Sequence, residues 1–95
     1  MSFDLKFKDE ALREWRALDN TIRDQFKRKL LERLSSPRVA AAKLSGQKDR
    51  YKIKLRMVGY RLVYEVRDAE LIVVVVAVGK RERNAVYLNA ARRSL

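Results

Sequence analysis

The sequence predicts an α+β fold, in which a helical hairpin packs on one face of a small antiparallel sheet and a short helix follows at the C-terminal end. Three observations predict this class. Apolar residues recur at helical spacing in the first third of the chain, they alternate with charged residues from Tyr51 to Arg67, and a mostly β-branched run extends from Leu71 to Val78. The chain of 95 residues has room for one core, so residues 1–95 are expected to form a single domain in the order β-α-α-β-β-β-α.

The chain begins with a predicted strand and a predicted first helix. Phe3, Leu5 and Phe7 alternate with polar residues, which indicates a short strand with one apolar face. We expect this strand at the edge of the sheet or beside the last strand. From Lys8 to Leu18 the apolar residues follow the helical period, so this segment is predicted to be the first helix of the hairpin.

A second helix is predicted to begin near Thr21, which with Asp24 three residues later resembles a capping box. It is expected to run to about Leu34 and to stop before Ser35-Ser36-Pro37. Its apolar residues form one stripe that would face the sheet. The basic residues lie largely away from that stripe and are expected to form a solvated face: Arg23, Lys27, Arg28, Lys29 and Arg33.

The second half of the chain is predicted to be mostly strand. After a connector from Arg38 to Arg50, for which no structure is predicted, Val58-Gly59 and Arg67-Asp68-Ala69 mark the two turns of a meander. The run from Leu71 to Val78 is apolar on both faces, which predicts a central strand covered on both sides. A short basic helix from Asn84 to Leu95 is expected to follow.

Basic residues concentrate on one face of the predicted hairpin. If Val58-Gly59 forms a two-residue loop, Lys52 opposes Glu65 and Arg56 opposes Arg61. Any other loop with an even number of residues keeps the same faces. Lys52, Lys54, Arg56 and Arg61 would then share one face, near Arg81 at the end of the last strand. A solvated basic face is the simpler interpretation for any one lysine, but such a concentration is better explained by a phosphate that binds there.

The composition limits the chemistry of any site on this chain. With 23 Lys and Arg against 12 Asp and Glu, the net charge is +11, which predicts a polyanionic partner such as RNA, DNA, an anionic membrane surface or an acidic protein. The absence of Cys and His excludes disulfides, thiolate metal sites and a histidine base, so no metal or cofactor is expected. No signal peptide and no membrane-spanning run is recognisable, which predicts a cytoplasmic protein.

RNA cleavage is a reaction that these residue types could support. It needs a base for the 2′-hydroxyl, charge stabilisation of the phosphorane and a proton for the leaving 5′-oxygen. Arg binds phosphate oxygens in bidentate fashion, and a Lys crowded by cations has a lowered pKa and could act as the base. Tyr87 could stack on an RNA base, although its spacing fits a core aromatic of the last helix equally well.

Three stretches of the sequence are specific enough to indicate a family: Tyr51-Lys52-Ile53-Lys54-Leu55-Arg56, Gly59-Tyr60-Arg61-Leu62-Val63-Tyr64, and Val78-Gly79-Lys80-Arg81-Glu82-Arg83 followed by Val86-Tyr87. With them the chain resembles, over its whole length, the RelE family of bacterial and archaeal toxins. The resemblance implies the RelE-like microbial RNase fold and an endoribonuclease of a type II toxin–antitoxin system. Such a toxin enters the A site of the 70S ribosome, contacts rRNA and cleaves mRNA by 2′-hydroxyl attack, which leaves a 2′,3′-cyclic phosphate and a 5′-hydroxyl.

The resemblance also implies roles for particular residues. Lys52 and Lys54 match the basic residues that activate the nucleophile and stabilise charge, and Tyr87 matches the tyrosine that stacks on the mRNA. Arg61 matches a stabiliser of the transition state, and Arg81 matches either a stabiliser or the acid for the leaving group. Ser45 departs from the family, which has a basic residue there, and so puts RNA affinity and rate in question.

The resemblance implies a partner as well as a substrate. A RelB-like antitoxin is expected to wrap an acidic segment around the basic surface and to displace the helix predicted from Asn84 to Leu95. Three alternatives remain open at this stage: a ParE-like toxin, which shares the fold but poisons DNA gyrase, a non-catalytic RNA-binding module, and an inactivated toxin, which the departure at Ser45 suggests. The combination of Lys52, Lys54, Arg61, Arg81 and Tyr87 argues against the first, whereas composition does not exclude the second.

Overall fold

Four strands and three helices follow one another in the predicted order in the computed structural model, which describes residues Ser2 to Ser94. The strands are β1 (Asp4–Phe7), β2 (Arg50–Leu55), β3 (Tyr60–Arg67) and β4 (Ile72–Lys80), and the helices are α1 (Asp9–Arg16), α2 (Asn20–Arg33) and α3 (Ala85–Arg92). One turn of 3-10 helix, Ala40–Ala42, lies in the connector for which the sequence predicted no structure. Leu95, the last residue of the predicted C-terminal helix, lies outside the described residues.

The strands form one mixed sheet in the order β1-β4-β3-β2. The pairs β2–β3 and β3–β4 are antiparallel, as predicted for a meander. β1 pairs with β4 in parallel, with Asp4 beside Ile72, so the first strand lies both at an edge and beside the last strand. The sheet is therefore not purely antiparallel, because the alternation of Phe3, Leu5 and Phe7 indicates an apolar face but not a strand direction.

Helices cover both faces of the central strand β4, as its continuous apolar run predicted. On one face, Val73 and Val75 pack in the main core with Phe26 and Leu30 of α2. On the other face, Val76 packs in a smaller cluster with residues of α3. The face that carries α3 also carries the even-numbered residues of β2, which is what places the basic side chains next to this helix.

The helices agree with the predicted segments except at their ends. The predicted capping box at Thr21 was wrong. The residue that caps α2 is Asp19, whose carboxylate accepts a hydrogen bond of 3.1 Å from the backbone N–H of Thr21. An Asp at this position satisfies one of the free N–H groups of the first turn. Between Ser2 and Ser94, none of the helices has the length and apolar content that crossing a bilayer would require.

Candidate active site

The β2–β3 hairpin closes through a four-residue loop, Arg56 to Gly59, rather than the predicted two-residue turn. Lys54 therefore lies directly opposite Arg61, and Glu65 lies opposite Arg50 instead of Lys52. The predicted pairs were wrong by two residues, but the predicted faces are confirmed because the loop length is even. Glu65 consequently gives Lys52 no carboxylate partner across the hairpin.

Arg81 is brought to the same end of the sheet by the pairing of β3 with β4. Tyr60 pairs with Lys80, and the backbone N–H of Arg81 donates a 2.6 Å hydrogen bond to the carbonyl of Gly59 in the hairpin loop. Two distant segments thus meet at the hairpin tip. The structure brings together five basic residues, hereafter the basic site: Lys52, Lys54, Arg56, Arg61 and Arg81.

The basic site lowers the pKa of Lys54. The largest cause is the positive charge of Lys52, followed by partial loss of solvent and then by the charges of Arg56, Arg61 and Arg81. Among residues Ser2 to Ser94, no member of the basic site takes part in an ion pair. The arrangement therefore offers an anion several uncompensated cations and one lysine that loses its proton more easily than usual.

Arg61 is the buried member of the basic site. It lies outside both apolar clusters, as expected, but it is only 5% exposed, which the sequence did not predict. Its Nη1 donates a 2.9 Å hydrogen bond to the carbonyl of Tyr60, and it has no carboxylate partner in the described chain. A buried charge is normally paired, because leaving it unpaired costs free energy. Arg61 thus lies at the bottom of the basic site, where a bound anion would be its negatively charged partner.

Tyr87 belongs partly to the core. Its ring is half-buried against a cluster that includes Val63 and Val86, which agrees with the core interpretation of its helical spacing. The phenolic oxygen is buried and has no hydrogen-bond partner within Ser2 to Ser94. Val63 is the cross-strand neighbour of Lys52, so Tyr87 reaches the face that carries the basic site.

The helix that carries Tyr87 is fastened by two arginines that sequence analysis did not identify. Arg50, which is 7% exposed, pairs with Glu65 at 3.0 Å and donates hydrogen bonds to the carbonyls of Ala90 and Arg93 at the end of α3. The Arg93 side chain pairs with Glu14 of α1 at 2.7 Å. The residues that make these contacts are far apart in the sequence, so no local pattern could have indicated them.

Arg33 also departs from its predicted place on a solvated face. It is half-buried at the end of α2, and its Nη1 donates a 2.8 Å hydrogen bond to the phenolic oxygen of Tyr64. It lines a cavity of about 310 Å³ together with Lys52, Lys54 and Arg56. Ser45 is exposed in the connector and adds no charge to this surface.

Comparison with known proteins identifies the family. Residues 5–85 match the family model described as ParE toxin of type II toxin–antitoxin system, parDE. The chain is 55% identical over 95 residues, the full length of both proteins, to the mRNA interferase toxin RelE of Escherichia coli strain K12.

Solved structures agree with this match. A free-state structure of Escherichia coli toxin RelE superposes with a TM-score of 0.92 at 53% identity and covers 100% of both chains. The toxin in the crystal structure of the intact Escherichia coli RelBE toxin–antitoxin complex superposes with a TM-score of 0.83 at 55% identity, over 86% of this chain and 100% of that one. The chain therefore belongs to the ParE toxin family of type II toxin–antitoxin systems and, within it, to the RelE toxins.

Proposed function

We propose that this protein is a ribosome-dependent endoribonuclease that cleaves mRNA in the ribosomal A site and thereby inhibits translation. The observation that carries the proposal is the convergence on Lys54 of unpaired cations from β2, β3 and the end of β4, together with the lowered pKa of Lys54. The relatives named mRNA interferase support the same reaction class. Because the substrate is translated mRNA, the proposed location is the cytoplasm.

In this mechanism a neutral lysine removes the proton of the RNA 2′-hydroxyl. Either Lys52 or Lys54 fills this role, and the lowered pKa favours Lys54. The 2′-oxygen then bonds to phosphorus, the bond from phosphorus to the 5′-oxygen breaks, and that oxygen takes up a proton. The products are a 2′,3′-cyclic phosphate and a 5′-hydroxyl.

The arginines stabilise the charge that develops on the phosphate in this reaction. Arg61 and Arg81 contact the phosphate oxygens. Arg61 is oriented by its hydrogen bond to the Tyr60 carbonyl, and Arg81 is positioned by the hydrogen bond of its backbone N–H. Arg81 is also proposed as the group that supplies the proton for the leaving 5′-oxygen. Tyr87 is proposed to stack on the neighbouring base with the exposed part of its ring.

A RelB-like antitoxin is the proposed regulator. The matched complex of Escherichia coli is a toxin–antitoxin assembly, and the unpaired cations of the basic site suit an acidic segment. We expect the antitoxin to displace α3, since the helix contributes few apolar residues to its cluster and none of them is large and fully buried: Val86, Tyr87 and Ala90. Displacement also has to break the hydrogen bonds of Arg50 to the end of α3 and the Arg93–Glu14 ion pair. Protection of α3 amides from hydrogen exchange should disappear on antitoxin binding. Unchanged protection, with Tyr87 in place, would contradict the displacement.

The deciding experiment is a translation reaction with a defined mRNA. We expect the wild type to cleave within the A-site codon and Arg81→Ala to lose this cleavage. Arg28→Ala should retain it, since Arg28 is an exposed arginine outside the basic site. Equal degradation of free RNA would contradict the dependence on the ribosome. Binding without cleavage would instead indicate an RNA-binding module.

The second candidate function is inhibition of DNA gyrase, which the name of the matched ParE model favours. A gyrase inhibitor has no need of a lysine with a lowered pKa beside arginines that lack partners. A supercoiling assay separates the two candidates, because inhibited supercoiling with intact mRNA would establish the gyrase function and overturn the nuclease.

A further inference from the structure

A second cationic surface lies at the outer edge of β2, beside the basic site. It is the cavity of about 310 Å³ between the end of α2, the connector and β2. Three small apolar residues of the connector form part of its lining: Val39, Ala41 and Ala42. The remaining lining residues are all cationic: Arg33, Lys52, Lys54 and Arg56. We call this cavity the edge pocket.

Arg33 is held in one orientation at the edge pocket. Its Nη1 donates to the phenolic oxygen of Tyr64 at 2.8 Å and, more weakly, to the carbonyl of Lys52 at 3.4 Å. Its guanidinium also lies over the Tyr64 ring, 5.8 Å from the centroid. Arg33 is thus oriented before any ligand arrives, which lowers the entropy cost of binding.

Tyr64 is itself fixed by the core. Its side chain is fully buried, and its hydroxyl donates a 2.7 Å hydrogen bond to the carbonyl of Pro37. Burial raises the pKa of the Tyr64 phenol, so the hydroxyl keeps the proton that this bond requires. The chain Pro37–Tyr64–Arg33 therefore supports the guanidinium from the interior of the protein.

The edge pocket lacks a negative charge of its own. None of its lining residues is acidic, and within Ser2 to Ser94 none of its cations forms an ion pair. The Nε and Nη2 groups of Arg33 have no hydrogen-bond partner in the described part of the chain. Because buried and half-buried charges are normally paired, these donors indicate an anionic ligand.

We propose that the edge pocket binds a second phosphate of the RNA strand, next to the phosphate that is cleaved at the basic site. The inference rests on the proposed function for the identity of the strand. Lys52, Lys54 and Arg56 line the edge pocket and also belong to the basic site, so the two anion positions are neighbours on one continuous surface. A polymer with one phosphate per nucleotide fits two adjacent cationic positions, and Arg33 thereby fixes the register of the strand.

Inorganic phosphate tests the pocket without RNA or ribosomes. Titration monitored by amide chemical shifts should move the amides of Ala41 and Ala42 at the edge pocket, as well as those of Gly59 and Arg81 at the basic site. Arg33→Met should abolish the first set of shifts and keep the second. Arg28→Met, which removes an exposed arginine from the same helix, should bind phosphate like the wild type at both places.

The cleavage assay tests the role of the edge pocket in the reaction. Arg33→Met should raise the KM for mRNA-programmed ribosomes by about tenfold with little change in kcat, because one charge-assisted contact is lost in both the ground state and the transition state. Arg33→Lys should recover part of the loss, since it keeps the charge. The amide spectrum of each variant verifies the fold, and Arg33→Gln, which also removes the charge but keeps a polar side chain, replaces Arg33→Met if that variant unfolds.

Three outcomes would overturn the inference. The first is a phosphate titration of the wild type in which the amide chemical shifts of Ala41 and Ala42 do not change. The second is a folded Arg33→Met variant whose phosphate-induced shift changes and KM equal those of the wild type. The third is weaker antitoxin binding by Arg33→Met with unchanged phosphate binding and KM, which would make the pocket a peptide site. If the wild type does not cleave mRNA at all, the proposed function fails, whereas the phosphate titration still decides whether the pocket binds the anion.

Discussion

Each end of the β2–β3 hairpin contains a buried arginine, but the two arginines differ in their ion-pair and hydrogen-bond partners. Arg50, 7% exposed, and Arg61, 5% exposed, lie on the same face of the sheet. Arg50 pairs with Glu65 and donates hydrogen bonds to two carbonyls at the end of α3. Arg61 donates to one carbonyl, that of Tyr60, and has Lys54 rather than a carboxylate opposite it.

This difference separates a charge that is paired within the fold from one that we propose binds a ligand. A buried ion pair is completed within the fold, and removing one partner leaves the other charge uncompensated. A buried cation without a partner raises the free energy of the free protein, and a bound phosphate removes that cost. The base of the hairpin thus holds α3 in place, while the tip is the part that we propose binds a ligand.

The largest expected effect is that of Arg61→Met on cleavage. Loss of one charge-stabilising contact should lower kcat by roughly 100- to 1000-fold. Stability should hardly change, because an unpaired buried charge is replaced by an apolar side chain. Single-turnover cleavage and urea unfolding measure the two quantities. A loss of more than about 2 kcal/mol in the free energy of unfolding would show that Arg61 has a structural role after all.

The same substitution at Arg50 should produce the opposite pattern. Arg50→Met leaves Glu65 partly uncompensated and frees the carbonyls of Ala90 and Arg93, so the free energy of unfolding should fall by about 3 kcal/mol. Amide hydrogen exchange in α3 should also become faster. Urea unfolding and exchange measured by mass spectrometry test this expectation. A stable variant with a protected α3 would break the comparison between the two arginines.

Glu65→Gln tests which end of the hairpin Glu65 serves, because the sequence-based register put Glu65 opposite Lys52 of the basic site. In the observed register Glu65 pairs with Arg50 and Arg67, so its neutralisation should cost about 1–2 kcal/mol of stability. The amide oxygen can still accept hydrogen bonds, which keeps the loss below that of Arg50→Met. The pH dependence of cleavage should be unchanged. A shifted pH profile would mean that Glu65 acts on the basic site.

The smallest expected effect is that of Arg56→Gln on the pH profile. Cleavage should rise with pH as Lys54 loses its proton, and the lowered pKa places this rise at lower pH than for an ordinary lysine. Removing the positive charge of Arg56 lets the pKa of Lys54 increase again, so the rising limb should move to higher pH. Lys48→Gln, at an exposed position outside the basic site, should leave it in place. An identical profile for Arg56→Gln would argue against Lys54 as the base.

The sequence predicted the elements and their faces, because both depend on local periodicity. The apolar run in β4 indicated a strand covered on both sides, and alternation placed Lys52, Lys54 and Arg61 on one face. The register was wrong by two residues, since Val58-Gly59 looks like a complete turn whereas Arg56 and Met57 also belong to the loop. Only the pairing of the complete strands β2 and β3 determines how many residues the loop contains.

The burial of individual arginines could not be predicted from the sequence. Arg33 fell on the polar side of its helix, yet the connector and Tyr64 enclose it. Arg50 looked like the end of an unstructured connector, yet it fastens α3 through partners about 40 positions away. Such contacts depend on how distant segments meet, and a helical or strand period contains no information about them. The roles of the five proposed site residues remain predictions.

The parallel pairing of β1 with β4 has a consequence for the growing polypeptide. Asp4 emerges from the translating ribosome long before Ile72, its neighbour in the sheet, so the first strand has no partner until most of the chain has been made. Arg81, which completes the basic site, follows later still. An unfinished molecule therefore has neither a closed sheet nor a complete basic site.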